Sequence, residues 1–354
     1  MPGIGPRRQS GLLQAFKTPQ AALAASFYDV CNVLGGTTHA RVWCDAAHAP
    51  MSDAVLQTLE WLSAPDHHLL TLADAVYPPR LLDLPDPPSV LFCMGDTRLL
   101  SRISLAVVGS RNATPQGIEH AERFSAAVSA AGVGIVSGLA AGIDAAAHRG
   151  GLTGPGSTIA VIGTGPERVY PASNRALAHR IAAEGVIVSE FAVGSEPKAG
   201  HFPRRNRLIA ALGKGCLVVE AAMQSGSLIT ARQANELGRE VFAIPGSIHS
   251  PVAKGCHLLI KEGARLTETA EDILQELGWG TATAWPALPE TEPAAVPEGE
   301  EGMVLTALGY DPVTVDELVV RCGLTADRLC AILLALELQG VVLALPGNRF
   351  QRGA

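Results

Sequence analysis

The chain reads as an α/β protein: a doubly wound, mostly parallel sheet in the middle, a small helical domain before it and a winged-helix-like unit after it. Three observations predict this. Short uncharged apolar runs that end in glycine or serine alternate with Ala-rich helical stretches through the middle of the chain, the pattern of buried parallel strands covered by helices. Pro286, Pro289, Pro293 and Pro297, set among Ala, Thr and Glu, separate that region from the C-terminal stretch. And 354 residues exceed the size at which a single core keeps growing.

Residues 1–95 read as a helical accessory domain. Pro2-Gly3-Ile4-Gly5-Pro6, followed by Leu12, Leu13 and Phe16, resembles the hairpin and second helix of a helix-hairpin-helix (SAM-like) unit, whose glycines let backbone amides approach a phosphate. The first helix of such a unit is absent from the pattern, so the unit reads as shortened. The segment also carries more acids than bases. Packing on a neighbour or assembly is therefore expected of it ahead of DNA contact. Tyr77-Pro78-Pro79-Arg80 and Pro85–Pro88 form an extended connection.

The central domain, residues 96–279, opens with the run Leu105–Gly109. Thr114 and Pro115 then supply an N-cap and a first-turn proline for a helix reaching Ala131. Further strands are predicted at Gly134–Ser137, Thr158–Ile162, Val186–Ser189, Leu217–Val219 and Val241–Ile244. Helices are predicted from near Gly142, from Asn174 to Glu184 and from Thr269 to Leu277. Residues 280–301 are a linker. Residues 302–354 read as three helices and a hairpin turning at Pro346-Gly347-Asn348, the winged-helix order. The helix that would read DNA, Thr325–Gln339, carries Asp327, Arg328 and Glu337. So few cations point to protein contact or dimer support rather than phosphate binding.

Composition narrows the function. A formal charge of −7 excludes a surface coated in DNA-binding cations but not a basic cleft. Seven cysteines without a CxxC pair argue against a disulfide framework or a zinc ribbon, and reduced thiols fit a cytoplasmic protein. No apolar run is long enough to span a membrane, and the segment after Arg7 and Arg8 is too interrupted for a signal peptide.

Against this acidic background, His201-Phe202-Pro203-Arg204-Arg205-Asn206-Arg207 stands out, since no Asp or Glu occurs from Lys198 to Lys214. Arginine is the usual bidentate reader of phosphate. In an open parallel sheet, ligands bind outside the carboxyl ends of the strands. There the sequence puts Gly109-Ser110-Arg111, Ser137-Gly138-Leu139-Ala140-Ala141-Gly142-Ile143-Asp144, Gly163-Thr164-Gly165, Ser189-Glu190 and Gln224-Ser225-Gly226-Ser227. Glycines and serines at these turns are expected to present backbone amides to an anion. Phe202 has two readings, a ring that stacks on an unpaired base or a plug that holds its segment to the core. Asp144 and His148, four apart, are an acid/base pair, metal ligands or a buried polar link. Gly163-Thr164-Gly165 lacks the third glycine of a dinucleotide fingerprint because position 168 is Arg, and no Walker A pattern is present. No metal-ligand set and no cofactor is expected.

These motifs together, with Tyr170-Pro171-Ala172-Ser173-Asn174, Val219-Glu220-Ala221, Ser225–Arg232 and Val241–Gly246, closely resemble the DNA processing protein A (DprA/Smf) family over about Leu105 to Leu274. The resemblance implies an extended Rossmann-like domain that is non-enzymatic, cytoplasmic and dimeric. It further implies a protein that binds incoming single-stranded DNA in natural transformation, protects it and loads the RecA recombinase, with single-stranded DNA-binding protein as a further partner. The implied DNA contacts are Gly109, Ser110, Arg111, Ser137, Gly138, Gly163, Gly165, Lys198, Phe202, Arg204, Arg205, Asn206 and Arg207. Which arginines meet phosphate and which brace the segment is open, with Asn206 and Arg207 the alternative braces. The competing reading is a nucleotide-processing enzyme using Asp144, His148 or Glu220.

Overall fold

A computed structural model describes residues 4–49, 51–279 and 299–352. The predicted linker falls largely outside the described residues, as do Pro2 and Gly3 of the predicted hairpin. The N-terminal part consists of α1 (Pro6–Phe16), α2 (Pro19–Ala24), α3 (Phe27–Leu34), α4 (Thr37–His48) and α5 (Asp53–Trp61). Thr18 and Ser26 cap α2 and α3 by accepting backbone N–H bonds. Leu12, Ala22, Val30 and Leu34 close a small core of their own.

From His67 the chain belongs to the sheet. Its elements run β1 (His67–Thr71), β2 (Val90–Gly95), β3 (Ser104–Val108), α6 (Pro115–Ala130), β4 (Gly134–Ser137), α7 (Ile143–Gly151), β5 (Thr158–Val161), α8 (Arg175–Glu184) and β6 (Val186–Ser189). They continue with α9 (His201–Leu212), β7 (Gly215–Val218), α10 (Gly226–Glu236), β8 (Glu240–Ala243), α11 (Lys254–Lys261), β9 (Arg265–Leu266) and α12 (Ala270–Glu276). The strand order is β1-β2-β6-β5-β4-β3-β7-β8-β9, parallel throughout except at the β1–β2 and β2–β6 pairs. The sequence-based boundary at residue 95 therefore moves back to the link between Trp61 and His67. The proline-punctuated stretch taken as a connection is the crossing between two antiparallel strands.

Alternation along each strand explains the two cores. Leu105 and Val107 of β3 pack with Ile135 of β4 and Leu217 of β7 against α6, α7 and α12. Ala106 and Val108 face the other way, with Val136 and Cys216, toward α9, α10 and α11. Cys216 and Cys256 are small buried core residues, and burial pushes both thiols up to about 12. Trp279 closes the domain, its indole N–H donating to the Ala131 carbonyl at 2.8 Å.

The C-terminal unit is a winged helix: α13 (Glu300–Leu308), β10 (Val313–Thr314), α14 (Val315–Cys322), α15 (Ala326–Leu338), β11 (Val342–Leu345) and β12 (Arg349–Arg352). A capping box between Thr314 and Glu317 starts α14. Leu329, Leu333 and Leu336 of α15 are buried, whereas Leu338, which spacing groups with them, is exposed. The Gln351 amide donates to Gln116 Oε1 at 2.9 Å, joining this unit to α6.

The basic stretch forms the first two turns of α9. Pro203 is accommodated because first-turn N–H groups have no intrahelical partner. Leu208, Ile209 and Leu212 then anchor the same helix in the core.

Candidate nucleic-acid interface

Strand β3 has β4 on one side and β7 on the other, so the winding reverses there. A crevice of about 480 Å³ opens at this point, outside the carboxyl ends of β3 and β7. Gly109, Ser110, Arg111 and Asn112 line one side, Arg205 and Asn206 of α9 another, and Ser225, Gly226 and Ser227 at the start of α10 a third. Ser225 caps α10 by accepting from the Ser227 N–H at 3.3 Å. This helix start is the part of the wall that the sequence reading saw as a glycine-bearing turn but did not count among the contact residues. Its signal was the Ser225-Gly226-Ser227 run itself.

Arg111 is exposed and forms no salt bridge among the described residues, although its charge acts on the buried Asp144 carboxyl across the crevice. Its guanidinium carbon lies 5.6 Å from the centroid of the Phe202 ring. The turn that holds Arg111 fits against Gly142, which has φ +76°. A Cβ there would come within 2.7 Å of the Arg111 carbonyl oxygen, so this contact requires glycine. The Ile143 N–H donates to the Ser110 carbonyl at 3.2 Å and ties the β3 and β4 turns together.

The arginines of α9 differ sharply in role. Arg207 is buried and pairs with Glu190 at 2.5 Å, while also donating to the Asp86 carbonyl at 2.8 Å. Arg204 is exposed but also reaches Glu190, at 3.0 Å, and lies over the Phe191 ring. Arg205 is buried and donates to the carbonyls of Gly138 and Val161, so it meets the crevice from below. Burial pulls its guanidinium down to about 10 against the opposing pull of Asp144. Arg205 and Arg207 are thus internal braces, held inside by the carbonyl ends of the turns and by Glu190: for Arg207 this is one of the two readings left open, whereas Arg205 reaching outward does not fit its burial.

The Ser137–Gly142 turn departs from expectation in the same way. Its Gly138, Leu139 and Ala140 amides are taken up by side chains of the protein itself. The N–H groups of Gly138 and Ala140 donate to Asp144 at 3.1 and 3.4 Å, so this carboxylate occupies the place foreseen for an external anion. Ser137 is buried, its hydroxyl donating to the Val107 carbonyl at 2.6 Å. Gly163 lies under Phe202, where a Cβ would come within 3.2 Å of the ring. Gly165 is buried and donates to the Ser195 carbonyl at 2.9 Å. Lys198 is exposed ahead of α9 and does not line the crevice. Of the implied contacts, Gly109, Ser110, Arg111, Arg205 and Asn206 line the crevice, and Phe202 joins them through Arg111.

The buried-link reading holds for Asp144 and His148. The Leu139 N–H donates to His148 Nε2 at 3.2 Å, which puts the ring proton on Nδ1, 2.7 Å from the Thr158 hydroxyl. That hydroxyl donates on to the Ile135 carbonyl at 2.9 Å. Burial raises the Asp144 carboxyl, with Arg205 opposing. Burial, helped by the Arg205 charge, drives His148 from 6.5 down to about 3. Because the unfolded chain then binds a proton that the folded one refuses, stability falls as pH drops below 6.5, by up to about 1.4 kcal/mol per unit, and is unaffected above it. In urea titrations between pH 4 and 7, His148→Gln should flatten this part of the profile; an unchanged slope would contradict the assignment. Glu220, the third group of the enzymatic alternative, accepts from the Thr114 N–H at 3.0 Å and hydroxyl at 2.5 Å. Among the described residues no His/Cys/Asp/Glu cluster could hold a metal ion, and no helix is long and apolar enough to cross a membrane.

Fold and crevice together define a doubly wound α/β protein with a crevice at its switch point and a C-terminal winged helix. The chain belongs to the DNA recombination-mediator protein A family, whose model matches residues 68–278, and the DprA winged helix domain matches residues 288–348. It is 41% identical to the protein Smf of Escherichia coli (strain K12) over 302 residues, covering 83% of this chain and 80% of that protein. It is 47% identical over 206 residues to the DNA processing protein DprA of Streptococcus pneumoniae (R6), covering 58% of this chain and 73% of that protein. The solved structure of S. pneumoniae DNA processing protein A aligns with a TM-score of 0.70 at 36% identity, over 77% of this chain and 94% of that one. DNA processing protein A of Helicobacter pylori, described for its single-stranded DNA binding mode, aligns at 0.55 and 30% identity, over 59% and 95%.

Proposed function

We propose that this chain binds single-stranded DNA along the β3–β7 edge and acts as a non-catalytic recombination mediator in natural transformation. In this role it protects incoming strands and loads RecA as a cytoplasmic homodimer, with single-stranded DNA-binding protein as a further partner. One observation carries the DNA-binding part: Arg111 is an exposed cation that forms no salt bridge among the described residues, poised over an aromatic ring at the mouth of a crevice. Phosphates would sit on the Ser110–Arg111 turn and the start of α10, with bases against the neighbouring rings. Free bases favour single strands over duplex. The single-stranded DNA binding of the H. pylori relative supports the ligand class. An enzymatic reading is weaker, since Asp144, His148 and Glu220 all hold backbone groups in place.

Fluorescence anisotropy with single- and double-stranded oligonucleotides over a salt series tests this. Two or three phosphate contacts predict a log–log slope of roughly −1.4 to −2.1 for single strands. Arg111→Glu should weaken binding about ten-fold whatever the sequence, and make the slope shallower by roughly 0.7. Unchanged affinity in that variant, with the fold intact by circular dichroism, would refute the site.

A further inference from the structure

The third helix of the winged unit, α15, has an outer face that no described residue covers. Its inner face, with Leu329, Ile332, Leu333 and Leu336, fills the core of the unit. On the other side Asp327, Cys330, Ala331, Leu334 and Leu338 are exposed, Leu334 at 57% and Leu338 at 82%. Asp327, Ala331, Leu334 and Leu338 follow each other at intervals of four, three and four, the spacing of a seam between two helices. Arg328 is the only cation in the sequence of α15, so this face lacks the charge that a phosphate backbone requires. An exposed apolar stripe of this kind marks a protein contact.

The stripe is complementary to itself when run antiparallel. Its first half is small, with Cys330 and Ala331, and its second half is large, with Leu334 and Leu338. Where two copies of α15 cross at Leu334, each Leu338 falls against Cys330 and Ala331 of the other copy, because Leu338 and Cys330 lie four residues to either side of the crossing. Charge fits the same arrangement. Arg328 uses Nε and Nη2 on Glu300, at 2.8 and 2.7 Å, which leaves Nη1 for a second acid. Glu337 is exposed and forms no salt bridge among the described residues. The crossing brings Arg328 within one turn of the other copy's Glu337 and opposes the two helix dipoles.

We propose that α15 is a self-association surface, on which α15 of a second copy of this chain packs antiparallel across Leu334. The contact rests on the reading of this chain as a self-associating protein and names a surface for it. A helix of 13 residues spans about 20 Å, so the pair buries less than the ~1,200 Å² of a standard interface. The contact is therefore weak alone and fills when copies are already held near each other, by a second contact or on one polymer.

Mild oxidation of the full chain with copper–phenanthroline, followed by a denaturing gel without reductant, tests this. Leu334→Cys puts a thiol at the crossing. It should raise the yield of covalent dimer about ten-fold over the unaltered chain, whose two Cys330 residues stand about 12 Å apart along the axis. Leu338→Cys should cross-link as well, by pairing with the native Cys330, and adding Cys330→Ser should abolish that product. Both leucines are exposed, so neither change disturbs the core. No gain of dimer in Leu334→Cys, or a Leu338→Cys dimer that survives Cys330→Ser, overturns the pairing and gives the stripe to a different protein partner. A chain that sediments as a dimer while Leu334→Cys yields no cross-link leaves the homodimer reading standing and overturns this interface alone.

Discussion

Glu190→Gln should destabilise the protein by about 3 kcal/mol, because it leaves a buried arginine without its charge partner. The Glu190 side chain is 2% exposed and that of Arg207 10%. Two bonds from Arg207 to Asp86 remain, one to the carbonyl at 2.8 Å and a looser one to the carboxylate at 3.5 Å. Neither replaces the 2.5 Å contact to Glu190. Arg204 meets the same carboxylate from solvent, with 41% of its side chain exposed, so Arg204→Gln should cost less than about 1 kcal/mol. Urea unfolding of the two variants reads the contrast directly. Equal losses would mean that Glu190 acts through the solvent-facing pair and not through the buried one.

Arg205→Met should cost about 3–5 kcal/mol at neutral pH, by stripping the Gly138 and Val161 carbonyls of their donor and leaving the Asp144 carboxylate without its cation. The loss should depend on pH. Burial already raises the Asp144 carboxyl, and without Arg205 opposing it the rise is larger. A carboxyl whose folded-state pKa lies above its unfolded value stabilises at low pH, and this is lost as pH rises through the folded value. The variant should therefore lie closest to the unaltered protein in acid and farthest above neutrality. Adding Asp144→Asn should recover part of the loss at pH 8. A pH-independent deficit with no recovery would show that Arg205 contributes through packing alone.

These variants mark where the sequence could be read and where it could not. The strands of the parallel sheet were legible because each is an uncharged β-branched run closed by glycine or serine, as in Leu105–Gly109 and Thr158–Ile162. β1 and β2 were not. The run His67-His68-Leu69-Leu70-Thr71 has a polar start, and prolines fill the gap to Val90, so local signals suggested a connection. The pairing of Phe92 with Ser189 across the sheet lies far away in sequence. The winged helix was legible from spacing and a turn, down to its acidic third helix.

The site was legible as a place but not as a division of labour. Several of the glycine-bearing turns and part of the basic run come together at one crevice on the sheet edge. Nothing local says that Glu190 sits between Arg204 and Arg207, or that Asp144 fills the amides of the β4 turn; both depend on side chains brought together by the fold. Composition misled in one respect, because cations near each other in sequence looked like cations facing solvent. A helix turns its residues through every direction, and α9 directs Arg205 and Arg207 inward.

That helix runs without interruption from Phe202 at the crevice to Leu208–Leu212 inside the core. The α9 side of the crevice is therefore tied directly to the core of the sheet domain. Amide protons in the C-terminal turns of α9, packed in that core, should exchange with solvent mainly through opening of the sheet domain. A bound strand can slow that exchange only as far as it stabilises the entire domain, so occupancy of the edge is reported by protons buried well behind it.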